Sequence, residues 1–186
     1  MNYEAPILSD DAEVRCIAED GAAITHVLLA LRVMLRFYGM HIQYSKRSVS
    51  PNERQMTISA VLSTSGDIAE RSRQYTNLLQ HGHNYLRICR ILQFLGEVQL
   101  EPIKVAWLKL LAVEVFTTQV SPSPLYRCRD SFLHYWLQTV VCSRDREEVM
   151  QVMLDAVKGK MAPYESRMEC QVQVPADVSL GLFHID

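Results

Sequence analysis

Residues 84 to 96 have the sequence Asn84-Tyr85-Leu86-Arg87-Ile88-Cys89-Arg90-Ile91-Leu92-Gln93-Phe94-Leu95-Gly96. Four aliphatic side chains recur in it at helical spacing: Ile88, Ile91, Leu92 and Leu95. At about 100° per residue, a second stripe lies roughly 120° away from them and consists of His83, Arg87, Arg90 and Phe94. The segment therefore predicts an amphipathic helix that buries one face and exposes a basic face with an aromatic residue at its end.

Two helices are predicted upstream of this segment. The first is short and runs from Ser9, which precedes two acidic residues, to about Glu19. The second has an amphipathic stripe from Ala22 to Tyr38, and Gly39 follows it as the residue that ends the helix.

Three helices are predicted downstream. They begin at Pro102, at Pro124 and at Ser143 or Asp145, because proline suits the first turn of a helix and serine can cap it. Trp107 and Trp136 fall on apolar faces of these helices, and we assign both to the core.

The remaining segments predict little regular structure. Residues 43–75 are predicted as a long loop, with a possible short strand at 56–62, because the segment is rich in Ser, Thr and Gly and contains a proline. Near the C-terminus, Met168, Cys170, Val172 and Val174 alternate with polar residues, as in a strand or an extended arm. The expected fold is all-α, a compact bundle of about five to six helices with this loop and a possible short C-terminal strand or arm.

Composition limits the class of protein. The chain has 186 residues, of which 48% are hydrophobic and 22% charged, as in one globular domain rather than a disordered chain. Its net charge of −2 gives no global indication of binding to nucleic acid or to an anionic membrane. Neither a signal peptide nor a membrane-spanning segment is recognisable, so we expect a soluble intracellular protein.

No recognisable motif indicates catalysis, a metal or a cofactor. The sequence lacks a Gly-rich phosphate loop, a nucleophile elbow and a zinc-protease motif, so we predict that the chain is not an enzyme and needs no cofactor. The five cysteines are dispersed, which argues against a disulfide framework and against a zinc site. They are Cys16, Cys89, Cys128, Cys142 and Cys170.

The candidate site lies in a segment from Arg71 to Gly96 that contains no acidic residue. Its candidate ligand-binding residues are Tyr75, His83, Asn84, Arg87, Arg90 and Phe94. Three interpretations remain open for the two arginines of the stripe: structural ion pairs with Glu97, Glu101 or Glu114, recognition of a peptide carboxylate, and, least favoured, nucleic-acid binding. Asn84 is also interpreted as a helix N-cap.

Several blocks of the sequence resemble one known family. The central block is His83-Asn84-Tyr85-Leu86-Arg87-Ile88-Cys89-Arg90-Ile91-Leu92-Gln93-Phe94-Leu95-Gly96-Glu97, preceded by Gln74-Tyr75-Thr76-Asn77-Leu78. Upstream lies Leu31-Arg32-Val33-Met34-Leu35-Arg36-Phe37-Tyr38-Gly39-Met40, and downstream Asp130-Ser131-Phe132-Leu133-His134-Tyr135-Trp136. In order and spacing these blocks resemble the conserved domain of the opioid growth factor receptor family, over about residues 7 to 150.

The resemblance implies properties that the residues alone do not. It implies a helical domain that binds a peptide of the opioid growth factor (Met-enkephalin) type or a protein partner, growth-regulating signalling, and association with the nucleus or nuclear envelope. We expect the domain to span 7–158, without the family's Trp-rich segment ahead of the first helix, and a C-terminal arm to span 159–186.

Overall fold

The computed structural model describes residues 10–48 and 54–179, which contain seven α-helices and three β-strands. The helices are α1 (Asp11–Glu19), α2 (Gly21–Phe37), α3 (Ile68–Gln80), α4 (His83–Glu97), α5 (Glu101–Phe116), α6 (Arg129–Ser131) and α7 (Ser143–Val157). The strands are β1 (Met40–Ser48), β2 (Gln55–Thr64) and β3 (Arg167–Pro175). Around α6 the chain continues as irregular helix: a 3-10 turn at Tyr126–Cys128, a π-helical segment at Phe132–Trp136 and a second 3-10 turn at Leu137–Thr139.

The prediction of an all-α bundle with five to six helices is wrong. The three strands form an antiparallel sheet in the order β1-β2-β3, so the fold is mixed α/β. The predicted loop at 43–75 is also wrong, since most of β1, all of β2 and more than half of α3 lie within it; its residues 49–53 lie outside the described residues. The possible strand at 56–62 is part of β2, and the possible C-terminal strand is β3.

The sheet forms because apolar side chains alternate along its strands. In β2, Met56, Ile58, Ala60 and Leu62 are buried, and the residues between them are not. Ile42, Leu62 and Met168 are register partners across the three strands, and all three are buried. One face of the sheet thus belongs to the core, while the other is largely polar.

Helix α5 is the centre of the molecule. Thirteen of its sixteen residues are buried, because it packs against the sheet, α4 and α7 at once. The indole Nε1 of Trp107 faces the sulfur of Met40 at 3.2 Å, and the Tyr38 ring stacks on the indole with centroids 6.3 Å apart. Both tryptophans are fully buried, as predicted.

The turn from α2 into β1 depends on a glycine. Gly39 has φ +78°, in the left-handed region that glycine tolerates best. A Cβ atom at this position would lie 2.8 Å from Cε1 of Tyr75, so no larger residue fits without a shift of α3. The Gly39 carbonyl accepts a hydrogen bond from Ser65 N at 2.9 Å, which joins this turn to the end of β2.

Candidate functional site

Helix α4 presents the basic face that its sequence predicts. Asn84, Ile88, Leu92 and Leu95 are buried, whereas His83, Arg87 and Arg90 are exposed and Phe94 is half-buried. Leu86 beside them is also exposed. The four members of the stripe follow one another at helical spacing, so the structure brings them onto one side of α4.

Asn84 supports the first arginine of this face. It is 1% exposed, and its Oδ1 accepts a hydrogen bond from Nη1 of Arg87 at 3.1 Å. Asn84 is not the N-cap of the helix, because Gly82 occupies that position and makes no side-chain cap. The Arg87 guanidinium also lies near the buried hydroxyl of Tyr38, where its positive charge opposes the increase in the Tyr38 pKa that burial causes. Arg87 is therefore held in place but remains exposed.

Arg90 makes no hydrogen bond or ion pair with the part of the chain that the structure describes. The acidic residues predicted as its partners either contact other groups or form no ion pair with the described residues. Glu101 Oε2 pairs with Nζ of Lys104 at 2.6 Å, and Glu114 Oε1 accepts the backbone N–H of Tyr164 at 2.7 Å. Glu97 is exposed and forms no ion pair within residues 10–48 and 54–179. The described acids therefore neutralise neither arginine of the face.

Gly96, at the end of the α4 motif, makes room for the Lys104 ion pair. A Cβ atom on Gly96 would lie 2.6 Å from Lys104 Nζ and 3.0 Å from Glu101 Oε2. Lys104 is 2% exposed and also donates to the carbonyl oxygen of Thr139 at 2.7 Å. The ion pair lies within α5, and it is the Lys104–Thr139 hydrogen bond that connects α5 to the irregular helical segment beneath Gly96 of α4.

Tyr75, the remaining candidate, is not part of the exposed face. It is 5% exposed, and its hydroxyl lies near the carboxylate of Glu114, although neither Tyr75 Oη nor Glu114 Oε2 makes a hydrogen bond with good geometry to any described residue. Burial is the main reason that the pKa of Tyr75 is well above its usual value, and the charge of Glu114 adds to the effect. Burial also raises the pKa of Glu114 to about 6, although the Tyr164 N–H and the charge of Arg71 act in the opposite direction.

A buried polar cluster surrounds Tyr75 and Glu114. Arg71 donates from Nη1 to the carbonyl oxygen of Ser65, and its guanidinium carbon lies 4.3 Å from the centre of the Tyr164 ring. Thr64 Oγ1 donates to the carbonyl oxygen of Tyr164 at 2.6 Å. These contacts join α3, α5, the end of β2 and the loop before β3, so the cluster organises the fold beneath the surface.

The sequence does not predict this cluster. It indicates Glu114 only as a possible partner of the two arginines and gives no role to Tyr164. One signal was available: Glu114 is a lone acid inside the apolar run Ala112–Phe116. A carboxylate within such a run is buried at a cost and therefore indicates a polar partner.

Comparison with known proteins finds the same family by a family model and by individual relatives. The family model described as the opioid growth factor receptor (OGFr) conserved region matches residues 1–166. The chain is 29% identical over 151 residues to opioid growth factor receptor-like protein 1 of Mus musculus and 27% identical over 153 residues to that of Xenopus tropicalis. It is 28% identical over 138 residues to the opioid growth factor receptor of Rattus norvegicus.

These matches include most of this chain but a small part of each relative. They cover 81%, 81% and 74% of the chain, and 28%, 25% and 20% of the respective relatives. No solved structure matches. Within the described residues, none of the helices has the length and hydrophobicity needed to cross a membrane.

Proposed function

The chain belongs to the opioid growth factor receptor conserved-region family, and from this premise we propose that it is a receptor-like, non-enzymatic domain that binds a peptide through the exposed face of α4. The relatives are named as a receptor and as a receptor-like protein, and they extend well beyond the region shared with this chain. Growth-regulating signalling and association with the nucleus or nuclear envelope belong to the same proposal.

One observation supports this proposal above all. Arg87 and Arg90 lie on an exposed helix face, and the described acids do not neutralise them. An exposed guanidinium pairs well with a carboxylate, because its fork of N–H donors matches the two oxygens. In the proposed complex Arg90 meets the peptide carboxylate, and Arg87 adds a second donor from a position that Asn84 fixes.

The other candidate ligand-binding residues have different roles in this proposal. Phe94, which is only partly exposed, offers its ring edge to an aromatic or aliphatic side chain of the peptide, and His83 lies at the opposite end of the face. Asn84 is a positioning residue because its contact is with Arg87. Tyr75 is too deeply buried to touch a ligand and acts only through the packing of α3.

The test is a titration with Met-enkephalin by calorimetry, together with the same peptide amidated at its C-terminus. We expect the parent protein to bind the free carboxylate form at least about tenfold more tightly than the amide, because charge-assisted hydrogen bonds contribute about 1.5–3 kcal/mol each. Arg87→Ala combined with Arg90→Ala should weaken binding by a similar factor. Arg73→Ala, which removes an exposed arginine from α3, is the matched control and should bind like the parent.

Three outcomes would contradict the proposal. Undiminished binding by the double variant would place the peptide elsewhere, and equal affinity for the amide would remove the carboxylate from the interaction. An absence of binding by the parent would favour the second candidate, a scaffold that contacts other proteins. The scaffold function is supported by an apolar stripe exposed on α7, formed by Met150, Leu154 and Val157.

A further inference from the structure

A groove separate from the α4 face runs beside β3, and we call it the edge groove. It has a volume of about 270 Å³ and lies between β3, the first half of α5 and the start of α7. A second depression, of about 380 Å³, lies against the same strand and shares Glu169 and Cys170 with the first. Helix α7 packs against α5 rather than against β3, so it leaves this part of the strand uncovered.

The backbone of β3 presents hydrogen-bonding groups at this edge that none of the described residues uses. Ala176 N donates to Arg54 O at 3.0 Å, so these two residues form a hydrogen-bonded pair. Hydrogen-bonded and non-hydrogen-bonded pairs alternate along an antiparallel ladder, and this pair therefore shows which residues of β3 direct their backbone N–H and C=O groups toward β2. Even-numbered residues of β3 bond to β2, and the N–H and C=O groups of Glu169, Gln171 and Gln173 therefore point away from it. The backbone nitrogen of Pro175 also points away from β2, so its lack of an N–H group breaks no ladder bond.

The two edges of the sheet differ. The ladder between β2 and β3 is continuous over nine register pairs. The ladder between β1 and β2 has a register shift between Lys46 and Ser48, which interrupts the other edge. Among the described residues, β3 is therefore the edge with the longer regular row of unpaired groups.

The side chains around the edge groove define the chemistry of an occupant. Val105 and Ala106 form an apolar wall, where small hydrophobic side chains fit. Lys109 Nζ already pairs with Glu148 Oε2 at 2.7 Å, and Arg144 Nε lies 3.5 Å from Asp145 Oδ1. Glu169 is exposed and has no ion-pair partner among the described residues, so it is available to a positive charge.

We propose that the outer edge of β3 binds an extended segment of a partner protein, which adds to the sheet as a fourth strand. Main-chain hydrogen bonds to Gln171 and its outward-facing neighbours provide the attachment, as in other cases of strand addition. Basic residues of the segment lie beside Glu169, and the alternate small apolar residues lie against Val105 and Ala106. This site is independent of peptide binding at α4.

The experiment uses two acetylated and amidated hexapeptides with the full chain in ¹⁵N-labelled form. One has the sequence Ala-Lys-Val-Lys-Ala-Lys, and the other has glutamate in place of each lysine. We expect the basic peptide to shift the amide resonances of Glu169, Gln171 and Gln173, and the acidic peptide to bind at least about tenfold more weakly. No shift of these resonances up to about 2 mM peptide, or equal binding of both peptides, would overturn the proposal.

Three variants separate main-chain from side-chain effects. Gln171→Pro removes an outward N–H without breaking a bond to β2, and it should weaken the basic peptide at least about tenfold. Gln171→Val keeps the N–H and should bind like the parent. If the proline variant fails to fold by circular dichroism, Glu169→Lys takes its place and should weaken binding to a similar extent. Undiminished binding by Gln171→Pro in its folded form, or by Glu169→Lys, would contradict the proposal.

Discussion

The backbone N–H of Tyr164 donates to Oε1 of Glu114 at 2.7 Å and so joins the loop before β3 to the buried centre of α5. The second carboxylate oxygen of Glu114 has no hydrogen-bond partner among the residues that the structure describes, and the whole side chain is excluded from water. When this buried carboxylate is ionised, only one of its two oxygens accepts a hydrogen bond from a described residue. Glu114 is therefore required for the geometry of the loop but is costly when charged.

The pH dependence of stability should reflect this cost. The folded-state pKa of Glu114 is raised from its usual 4.5 to about 6, so the contribution of this residue to stability is complete below pH 4.5 and is lost as the pH rises through 6. At about 1.4 kcal/mol per pH unit, the loss is about 2 kcal/mol. Glu114→Gln should raise the free energy of unfolding at pH 7.5 by up to that amount and leave it unchanged near pH 4.5.

Urea unfolding between pH 4.5 and 7.5 would measure the effect. Glu165→Gln is the matched control, since it removes an exposed glutamate from the same loop and should follow the parent at each pH. Parallel curves for the parent and Glu114→Gln would contradict the prediction.

Gly39 and Gly66 should respond in opposite ways to alanine. Gly39→Ala puts a Cβ atom 2.8 Å from the Tyr75 ring at a φ of +78°, and should lower the free energy of unfolding by about 2–4 kcal/mol. Gly66→Ala meets no atom of the described residues within 4 Å and should be neutral or stabilising by up to about 1 kcal/mol. Thermal unfolding of the two variants beside the parent would test this, and equal melting temperatures would refute it.

Lys104 and Lys109 form ion pairs of nearly equal length in different surroundings. Lys104 is 2% exposed, and Lys104→Met removes its ion pair with the partly exposed Glu101 and its hydrogen bond to the Thr139 carbonyl oxygen, so we expect a loss of about 3 kcal/mol in stability. Lys109→Met breaks a pair at the surface and should cost less than about 1 kcal/mol. Guanidinium unfolding would compare them, and a Lys109 variant as unstable as the Lys104 variant would show that burial does not set the difference.

The two arginines of α4 should differ in stability even if both contact a ligand. Arg87→Ala leaves the buried Oδ1 of Asn84 without its donor and should cost about 1–3 kcal/mol. Arg90→Ala removes no hydrogen bond to the described residues and should change stability by less than about 0.5 kcal/mol. Chemical unfolding of each variant checks this difference. If Arg90→Ala were the less stable of the two, Arg90 would have a structural role.

The sequence predicted helices best where an apolar stripe and a cap occur together. Both features mark α2, where Asp20 Oδ1 accepts from the N–H groups of Ala22 and Ala23, and Gly39 follows the helix. The helix predicted at 84–96 is α4. Such signals are local, so they can be recognised without knowledge of the rest of the fold.

Helix α3 was missed because its buried face is not apolar. Its buried residues are Arg71, Tyr75 and Leu78, and the arginine hides the periodicity. A cap was nevertheless present, since Asp67 Oδ1 accepts from Glu70 N at 2.9 Å. The sheet was missed for a related reason: β2 alternates apolar residues with serine and threonine, which also occur in loops.

The candidate site was predictable to a similar extent. Helical spacing alone places Arg87 and Arg90 on an exposed face. It cannot show that Tyr75 is buried near Glu114, because that proximity depends on how α3 packs against α5. Nor can it show that Asn84 holds Arg87 rather than caps the helix.

The sheet also has a consequence for how the chain folds. Thr64 and Tyr164, which are hydrogen-bonded, are 100 residues apart, and β2 leaves the ribosome about that many residues before β3. During translation the nascent chain can form the β1–β2 hairpin and its helices while one edge of β2 still lacks its neighbour. Closing so long a loop is entropically costly, so completion of the sheet should be a late and slow step in folding.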